Sequence, residues 1–128
     1  HGPGQTPRTP IESRPTGKLP INPANLALVR QGMRQAVETG SARSLNSLPI
    51  EIAAKTGTAQ FNLQKDKTHS WFTAFAPFNN PQIALAVIVE GGGEGFAVAA
   101  PVARNILEQY FNLPLTPITP PAPQAETD

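Results

Sequence analysis

The uneven spacing of fifteen prolines limits which parts of this 128-residue chain can form regular structure. Ten of them lie in residues 1–21 and 113–128. Proline withholds a backbone donor and restricts the residue before it to extended conformations. We therefore predict a proline-rich extended segment over residues 1–21, a folded region over residues 22–112 and a disordered proline-rich tail over residues 113–128.

The folded region opens with the signals of a helix. Asn22 is a capping residue type, and Pro23 suits the first helical position, where a missing N–H costs little. Apolar residues then recur three and four positions apart, and Gly40 stands where a helix of this length would end in a left-handed conformation. We predict a helix over residues 23–39. Its apolar stripe comprises Leu26, Val29, Met33, Ala36 and Val37.

Three strands and a second helix follow. Residues 50–55 alternate between apolar and other side chains, and residues 70–76 are rich in aromatics. The turn formers of 77–82 join the latter to 83–89 in a predicted hairpin, and the unbroken apolar run of 83–89 predicts a strand covered on both faces. Residues 97–112 predict the second helix. The order predicts an α+β fold, an antiparallel three-stranded sheet flanked by helices.

Composition excludes several classes of function. The formal net charge is +1 and only 15% of residues are charged, without the clustered basic surface of a nucleic-acid binder. No cysteine and only two histidines are present, so we expect neither a metal nor another cofactor. The longest apolar run, 83–89, is far shorter than the ~18 residues that cross a bilayer, so no membrane segment is predicted. A start at His1 rather than Met fits a processed or excised product.

Lys55-Thr56-Gly57-Thr58, which we call the K-T-G-T segment, carries the clearest chemical signal. Alternation along its strand places Ile52 and Ala54 towards a core and Ala53 and Lys55 on the opposite face. A lysine on a strand is also a common device for protecting a sheet edge. K-T-G is one of three motifs of penicillin-binding proteins and class A β-lactamases, beside S-x-x-K and S-D-N.

Three segments in the same order strengthen the signal, namely residues 52–60, 73–82 and 99–107. With them the chain resembles the C-terminal portion of the transpeptidase domain of class B penicillin-binding proteins, most closely the elongation type, penicillin-binding protein 2. The turn of residues 75–81 and the helix before the lysine strand favour a transpeptidase over a class A β-lactamase. The resemblance covers residues 20–112.

The resemblance implies a role for each residue of the K-T-G-T segment. Lys55 would supply positive charge facing the nucleophile. The hydroxyls of Thr56 and Thr58 would bind the terminal carboxylate of the substrate, and Gly57 would leave room for the substrate along the strand. The backbone N–H of Thr58 would be an oxyanion donor, so Lys55 and Thr58 are the expected catalytic residues and residues 56–58 the expected substrate-binding residues.

The serine nucleophile of that family is missing from this sequence. The residues three positions before its lysines are Pro15, Ile52, Asn62 and Gln64, so no S-x-x-K motif occurs. An S-x-N pattern does occur at Ser44 and Asn46, but it lies close to the lysine strand in a connection where Ser and Asn are ordinary loop formers. We therefore predict that this chain supplies the K-T-G-T segment and lacks the nucleophile.

The resemblance implies part of a peptidoglycan D,D-transpeptidase that cross-links stem peptides through a serine acyl-enzyme and binds penicillin. The expected partners are stem peptides, β-lactams, and either the N-terminal part of the domain or a second copy, since strand 83–89 would have an unpaired edge. The expected location is the bacterial cell envelope, on the extracytoplasmic side of the inner membrane. The alternative is a non-catalytic binding module that retains the substrate-strand half of the fold.

Other residues have simpler interpretations. His69 lacks a partner serine pattern and is predicted to be a solvated loop residue. The glycine loop, residues 91–95, lacks the lysine and Ser or Thr of a phosphate loop and is predicted to be a turn. Aromatic residues near the second strand suggest either a stacking platform or, as alternation favours, core positions: Trp71, Phe72, Phe75 and Phe78.

Overall fold

The computed structural model describes residues 14–60 and 68–119. Its elements, in chain order, are helix α1 (Pro23–Glu38), a 3₁₀ turn (Arg43–Leu45), strands β1 (Ala53–Gln60), β2 (Thr68–Ala76) and β3 (Ile83–Val89), and helix α2 (Ala99–Tyr110). The strands form one antiparallel sheet in the order β1-β2-β3. This confirms the predicted α+β fold.

Parts of three predictions lie outside the described residues. They are the first thirteen residues of the extended segment, residues 61–67 of the connection between β1 and β2, and residues 120–128 of the tail. The proposed boundaries between the three regions of the chain therefore stay predictions.

Helix α1 begins as its sequence predicts but ends differently. The Asn22 side chain accepts a hydrogen bond from the backbone N–H of Ala24 at 2.8 Å, and Pro23 occupies the first turn. The predicted left-handed stop at Gly40 is wrong, because Gly40 is not among the residues with positive φ. A Cβ at Gly40 would instead lie 2.9 Å from the Cα of Ala36. Glycine is needed there because the chain folds back against the helix.

Only the C-terminal end of the predicted stripe on α1 is buried. Val37 is inaccessible, whereas Leu26 is 41% and Val29 60% exposed. Two arginines attach the helix to the sheet instead. The Arg30 guanidinium donates to the Phe78 carbonyl at 2.7 Å, and Arg34 donates to the Ile52 carbonyl at 3.0 Å. Helix α1 is therefore held by these two arginine contacts together with the burial of Val37 in the core.

The core lies between one face of the sheet and helix α2. Its largest fully buried apolar side chains are Phe72, Leu45, Ile52, Leu107 and Val37. Alanines on α2 allow the helix to approach the sheet closely, and they are Ala99, Ala100 and Ala103. Burial of these side chains supplies the main stabilisation of the fold.

The prediction that β3 is covered on both faces is wrong. Val87 is buried, but Ala84 and Ala86 are exposed and Ile88 is 46% exposed. An unbroken apolar run does not reveal that α2 covers only one face. The alternation on β1 also predicts the wrong burial for Ala53. It places Ala53 on the face opposite the core, but Ala53 is as inaccessible as Ala54.

Helix α2 ends in a left-handed residue that the sequence analysis did not identify. Asn112 has a φ of 54°, and the N–H of Leu113 donates to the Glu108 carbonyl at 2.7 Å. The N–H of Asn112 donates to the Gln109 carbonyl at 3.3 Å. This pair of hydrogen bonds is the Schellman motif, which satisfies carbonyls at the end of a helix.

Glu108 is a buried carboxylate with a complete set of partners. Its side chain is 1% exposed and accepts hydrogen bonds from Arg104 Nε at 2.8 Å and Asn105 Nδ2 at 3.1 Å. The hydroxyl and backbone N–H of Thr116 donate to it at 2.6 and 2.7 Å. Burial raises the pKa of Glu108, but these hydrogen bonds and the Arg104 charge outweigh burial, so the pKa lies below its ordinary value.

Candidate functional site

Strand β1 places the K-T-G-T segment on an edge of the sheet. Among the described residues β1 pairs only with β2, with Lys55 opposite Thr73 and Gly57 opposite Trp71. Lys55 and Thr58 are exposed, and the two residues between them are half-buried. The four predicted residues are therefore consecutive on one accessible strand.

Two observations indicate which backbone groups of β1 face its unpaired edge. The carbonyl oxygens of Gly57 in β1 and Trp71 in β2 lie close together, since a Cβ built on Gly95 would be within 2.6 Å of both. Two oxygens on paired strands can be this close only if both point into the space between the strands. The Thr56 carbonyl instead accepts a hydrogen bond from Lys55 Nζ. Because residues of an antiparallel strand alternate in direction, we infer that the backbone groups of Thr56 and Thr58 face the free edge.

Both threonine hydroxyls already have partners on the same side of β1. Thr56 Oγ1 lies 2.7 Å from Ser41 Oγ. Thr58 Oγ1 donates to Glu94 Oε2 at 3.0 Å and accepts from the N–H of Gly95 at 3.5 Å. Residues two positions apart on a strand project from the same face, which brings the two pairs side by side. Neither Ser41 nor Glu94 belongs to a sequence motif, and sequence reasoning missed both.

The glycine loop is a turn, as predicted, and it is fixed against the sheet. Gly91 and Gly93 have φ values of 63° and 76°, which glycine adopts without strain. Ser70, which is fully buried, donates to the Glu94 carbonyl at 3.1 Å and accepts from the N–H of Ala99 at 3.2 Å. The backbone of the loop is thus held beside Thr58.

A side chain could not be added at Gly57 without displacing its neighbour across the strands. A Cβ at Gly57 would lie 3.2 Å from the Cβ of Trp71, which is tighter than ordinary van der Waals contact. Trp71 is 40% exposed on the same face as Lys55. The structure therefore leaves a low, accessible surface along this side of β1.

The aromatic residues divide between core and surface. Phe72 is fully buried, as the core interpretation predicts, but Trp71 is not. Phe75 and Phe78 are half-buried and lie under Arg30, whose guanidinium carbon is 5.2 and 5.6 Å from the two ring centroids. These are cation–π contacts that hold α1 against the two rings.

The remaining candidate residues have structural contacts. The prediction for His69 is wrong, because it lies in β2 and its Nδ1 accepts from the N–H of Gly91 at 3.2 Å. Ser44 lies in the 3₁₀ turn, where its carbonyl accepts from Arg104. Asn46 ends that turn and donates its N–H to the Arg43 carbonyl at 3.1 Å.

Residues 14–60 and 68–119 provide neither a metal site built from acidic and histidine side chains nor a membrane-spanning helix. They contain no group of three or more His, Asp or Glu side chains arranged to hold a metal ion. They also contain no helix with the length and apolar character needed to span a bilayer.

The sequence matches the family model described as the penicillin binding protein transpeptidase domain over residues 5–108. It is similar to the peptidoglycan D,D-transpeptidase MrdA of Salmonella typhimurium, with 35% identity over 144 aligned positions that cover 94% of this chain and 21% of that protein. Similarity to the peptidoglycan D,D-transpeptidase PbpA of Mycobacterium tuberculosis is 40% identity over 75 residues, 52% of this chain and 15% of that one.

Solved structures show the same relationship. The crystal structure of Pseudomonas aeruginosa PBP2 matches with a TM-score of 0.66 and 40% identity, covering 79% of this chain and 22% of that chain. The ceftriaxone acyl-enzyme complex of penicillin-binding protein A from M. tuberculosis matches with a TM-score of 0.61 and 34% identity, covering 69% and 21%. This chain spans about a fifth of the length of these relatives.

Proposed function

This chain belongs to the penicillin-binding protein transpeptidase family, and from that premise we propose that it provides the substrate-binding edge strand of a peptidoglycan D,D-transpeptidase. The family resemblance read from residues 52–60, 73–82 and 99–107 is confirmed. The observation that carries the proposal is the position of residues 55–58 on an accessible strand that pairs, within residues 14–60 and 68–119, along one edge only.

The substrate would be a stem peptide that ends in D-Ala-D-Ala. A peptide laid along the free edge of β1 can exchange backbone hydrogen bonds with Thr56 and Thr58, as in strand addition to a sheet. Gly57 carries no side chain that would hold the peptide away. The small surface between Lys55 and Trp71 supports this placement.

Acyl transfer would proceed by attack of a serine on the carbonyl of the penultimate D-Ala, with departure of the terminal D-Ala. The amine of a second stem peptide would then displace the serine and form the cross-link. The N–H of Thr58 would donate to the oxyanion that develops on the attacked carbonyl. Removing one such donor typically costs ~3 kcal/mol of transition-state stabilisation.

Lys55 and the two threonines would recognise charge. The Lys55 ammonium would offset the negative charge that develops during transfer, and the hydroxyls of Thr56 and Thr58 would donate to the terminal carboxylate of the peptide. Hydrogen bonds to a charged acceptor are stronger than neutral ones. Penicillin carries a carboxylate beside its reactive carbonyl, so we propose that β-lactams bind here and acylate the same serine.

The rest of the enzyme would complete the cleft. We propose that the nucleophile lies outside this chain and that the free edge of β3 pairs with the N-terminal part of the domain or with a second copy. We also propose that the protein works in the bacterial cell envelope, on the extracytoplasmic side of the inner membrane. In residues 14–60 and 68–119 the sheet has three strands and β3 pairs only with β2, which leaves its other edge open to a further strand.

Labelling with a fluorescent penicillin tests the proposal. The full-length protein should be labelled, and Lys55→Ala should reduce the rate of labelling at least a hundredfold, because the charge lies at the reacting centre. Lys18→Ala is a matched control, since Lys18 is exposed and precedes α1. It should leave the rate unchanged.

The 128-residue chain alone should remain unlabelled. A covalent adduct on any of its serines would contradict the assignment of the nucleophile to another segment. A full-length protein that binds stem peptide but is never acylated would favour the alternative, a non-catalytic binding module.

A further inference from the structure

The hydroxyl of Thr58 has its only hydrogen committed within the chain. Thr58 Oγ1 donates to Glu94 Oε2 at 3.0 Å. A hydroxyl group has one donor hydrogen, so Thr58 cannot donate to a ligand carboxylate while this contact persists. The role expected for Thr58 in binding a terminal carboxylate therefore conflicts with the contact that it makes.

Glu94 is held at this position by its backbone. Its carbonyl accepts from buried Ser70 at 3.1 Å, and the next residue, Gly95, lies so close to β1 that a Cβ there would be 2.6 Å from the Gly57 oxygen. The side chain of Glu94 is exposed and forms no ion pair with a described residue. The loop thus fixes a carboxylate beside the edge where a peptide or β-lactam would lie.

We propose that Glu94 is a resident competitor for anionic ligands of the K-T-G-T segment. Its carboxylate occupies the place on Thr58 that the terminal carboxylate of a stem peptide or a β-lactam would take, an inference that rests on the proposed function. A ligand carboxylate must displace Glu94 from the hydroxyl and also approach a like charge. Both effects weaken the binding of anionic ligands, whereas a neutral ligand meets neither.

The test compares a charged ligand with its neutral form in the full-length protein. The measured quantity is the efficiency of acylation, the second-order rate constant, for benzylpenicillin and for its methyl ester. Glu94→Gln removes the charge at nearly constant size, and Glu94→Ala removes the hydrogen bond as well. Contacts between exposed charged groups are weak, so we expect both variants to raise the efficiency for benzylpenicillin about three- to fivefold. The efficiency for the methyl ester should not change.

Glu90→Gln is the matched control. Glu90 is exposed, lies four residues before Glu94, and the substitution changes net charge by the same amount. The Glu90 side chain makes no hydrogen bond to Thr58, so benzylpenicillin should acylate the Glu90→Gln variant with the same efficiency as the unaltered protein.

Each other outcome contradicts the inference in a recognisable way. An unchanged or lower efficiency for benzylpenicillin in both Glu94 variants overturns it while leaving the proposed function intact. An equal gain for the methyl ester, or for Glu90→Gln, would mean that no contact with Thr58 is involved. Failure of benzylpenicillin to acylate the unaltered protein would instead contradict the proposed function and this inference with it.

Discussion

Helices α1 and α2 each contain an arginine followed four residues later by a glutamate, yet the two pairs lie in different surroundings. Arg34 Nε is 3.2 Å from Glu38, whose side chain is 47% exposed. Arg104 Nε is 2.8 Å from Glu108, whose side chain is 1% exposed. The same spacing thus yields a surface ion pair on one helix and a buried one on the other.

The difference shows that spacing alone does not determine the energetic role of an ion pair. Removing a carboxylate from water is costly unless its oxygens are fully hydrogen-bonded. Glu108 meets that requirement through Asn105 and Thr116 as well as Arg104. Glu38 remains in contact with water, which screens its attraction to Arg34.

Among substitutions in the two ion pairs, Glu108→Ala should cause the largest loss in the free energy of unfolding. It leaves Arg104 and the two donors of Thr116 without their buried acceptor, which typically costs about 3–5 kcal/mol of folding free energy. Urea denaturation of the chain, followed by circular dichroism, measures the loss. A loss below ~1 kcal/mol would mean that the buried pair behaves like a surface pair.

Thr116→Val should cause the next largest loss in the free energy of unfolding. It removes the hydroxyl that donates to Glu108 at 2.6 Å but keeps the shape of the side chain. Leaving a buried carboxylate short of one donor costs about 1–3 kcal/mol. Thr119→Val makes the same chemical change at another exposed threonine, one that is not a hydrogen-bond partner of Glu108, and is the control for urea denaturation. Equal stabilities of the two variants would contradict a specific role for Thr116.

Acidic pH should lower the free energy of unfolding, partly because Glu108 becomes protonated. Its pKa in the folded chain lies below the ordinary value of 4.5, so the folded state holds the proton less tightly than the unfolded state. The stabilisation is present above that ordinary value and is lost as the pH falls through the lower, folded-state pKa. The unfolding free energies of the unaltered chain and of the Glu108→Gln variant should therefore converge as the pH falls from 6 towards 3. A parallel pair of curves would exclude this linkage.

Glu38→Ala should have the smallest effect. The pair with Arg34 is exposed and has the arginine on the N-terminal side, which is the less favourable orientation. We expect a change of no more than about 0.5 kcal/mol in the free energy of unfolding. High salt should reduce even this difference, and a value comparable to that of Glu108→Ala would erase the contrast between the helices.

Features that depend on neighbouring residues in the sequence could be predicted. The cap at Asn22 and the proline at 23 follow from local propensity. A strand at Lys55 also follows, although β1 covers Ala53–Gln60 rather than the alternating residues 50–55. The order of elements then fixed the α+β class, because a short connection between strands favours an antiparallel sheet.

Features that depend on distant packing could not be predicted. The burial of Glu108 requires Thr116 to fold back on α2, and the exposure of Ile88 depends on which face α2 covers. Ser41 and Glu94 reach β1 from loops, with sequence separations of 15 and 36 from their threonine partners. A polar residue in a glycine-rich loop is too common a pattern to single out such a contact.

The only tryptophan of the chain, Trp71, lies directly across from Gly57 and is partly exposed to water. An indole ring in that position is an intrinsic fluorophore beside the proposed binding strand. Excluding solvent from the ring shifts its emission to shorter wavelength, so the binding of an unlabelled ligand along the strand could be followed as a blue shift of the tryptophan fluorescence.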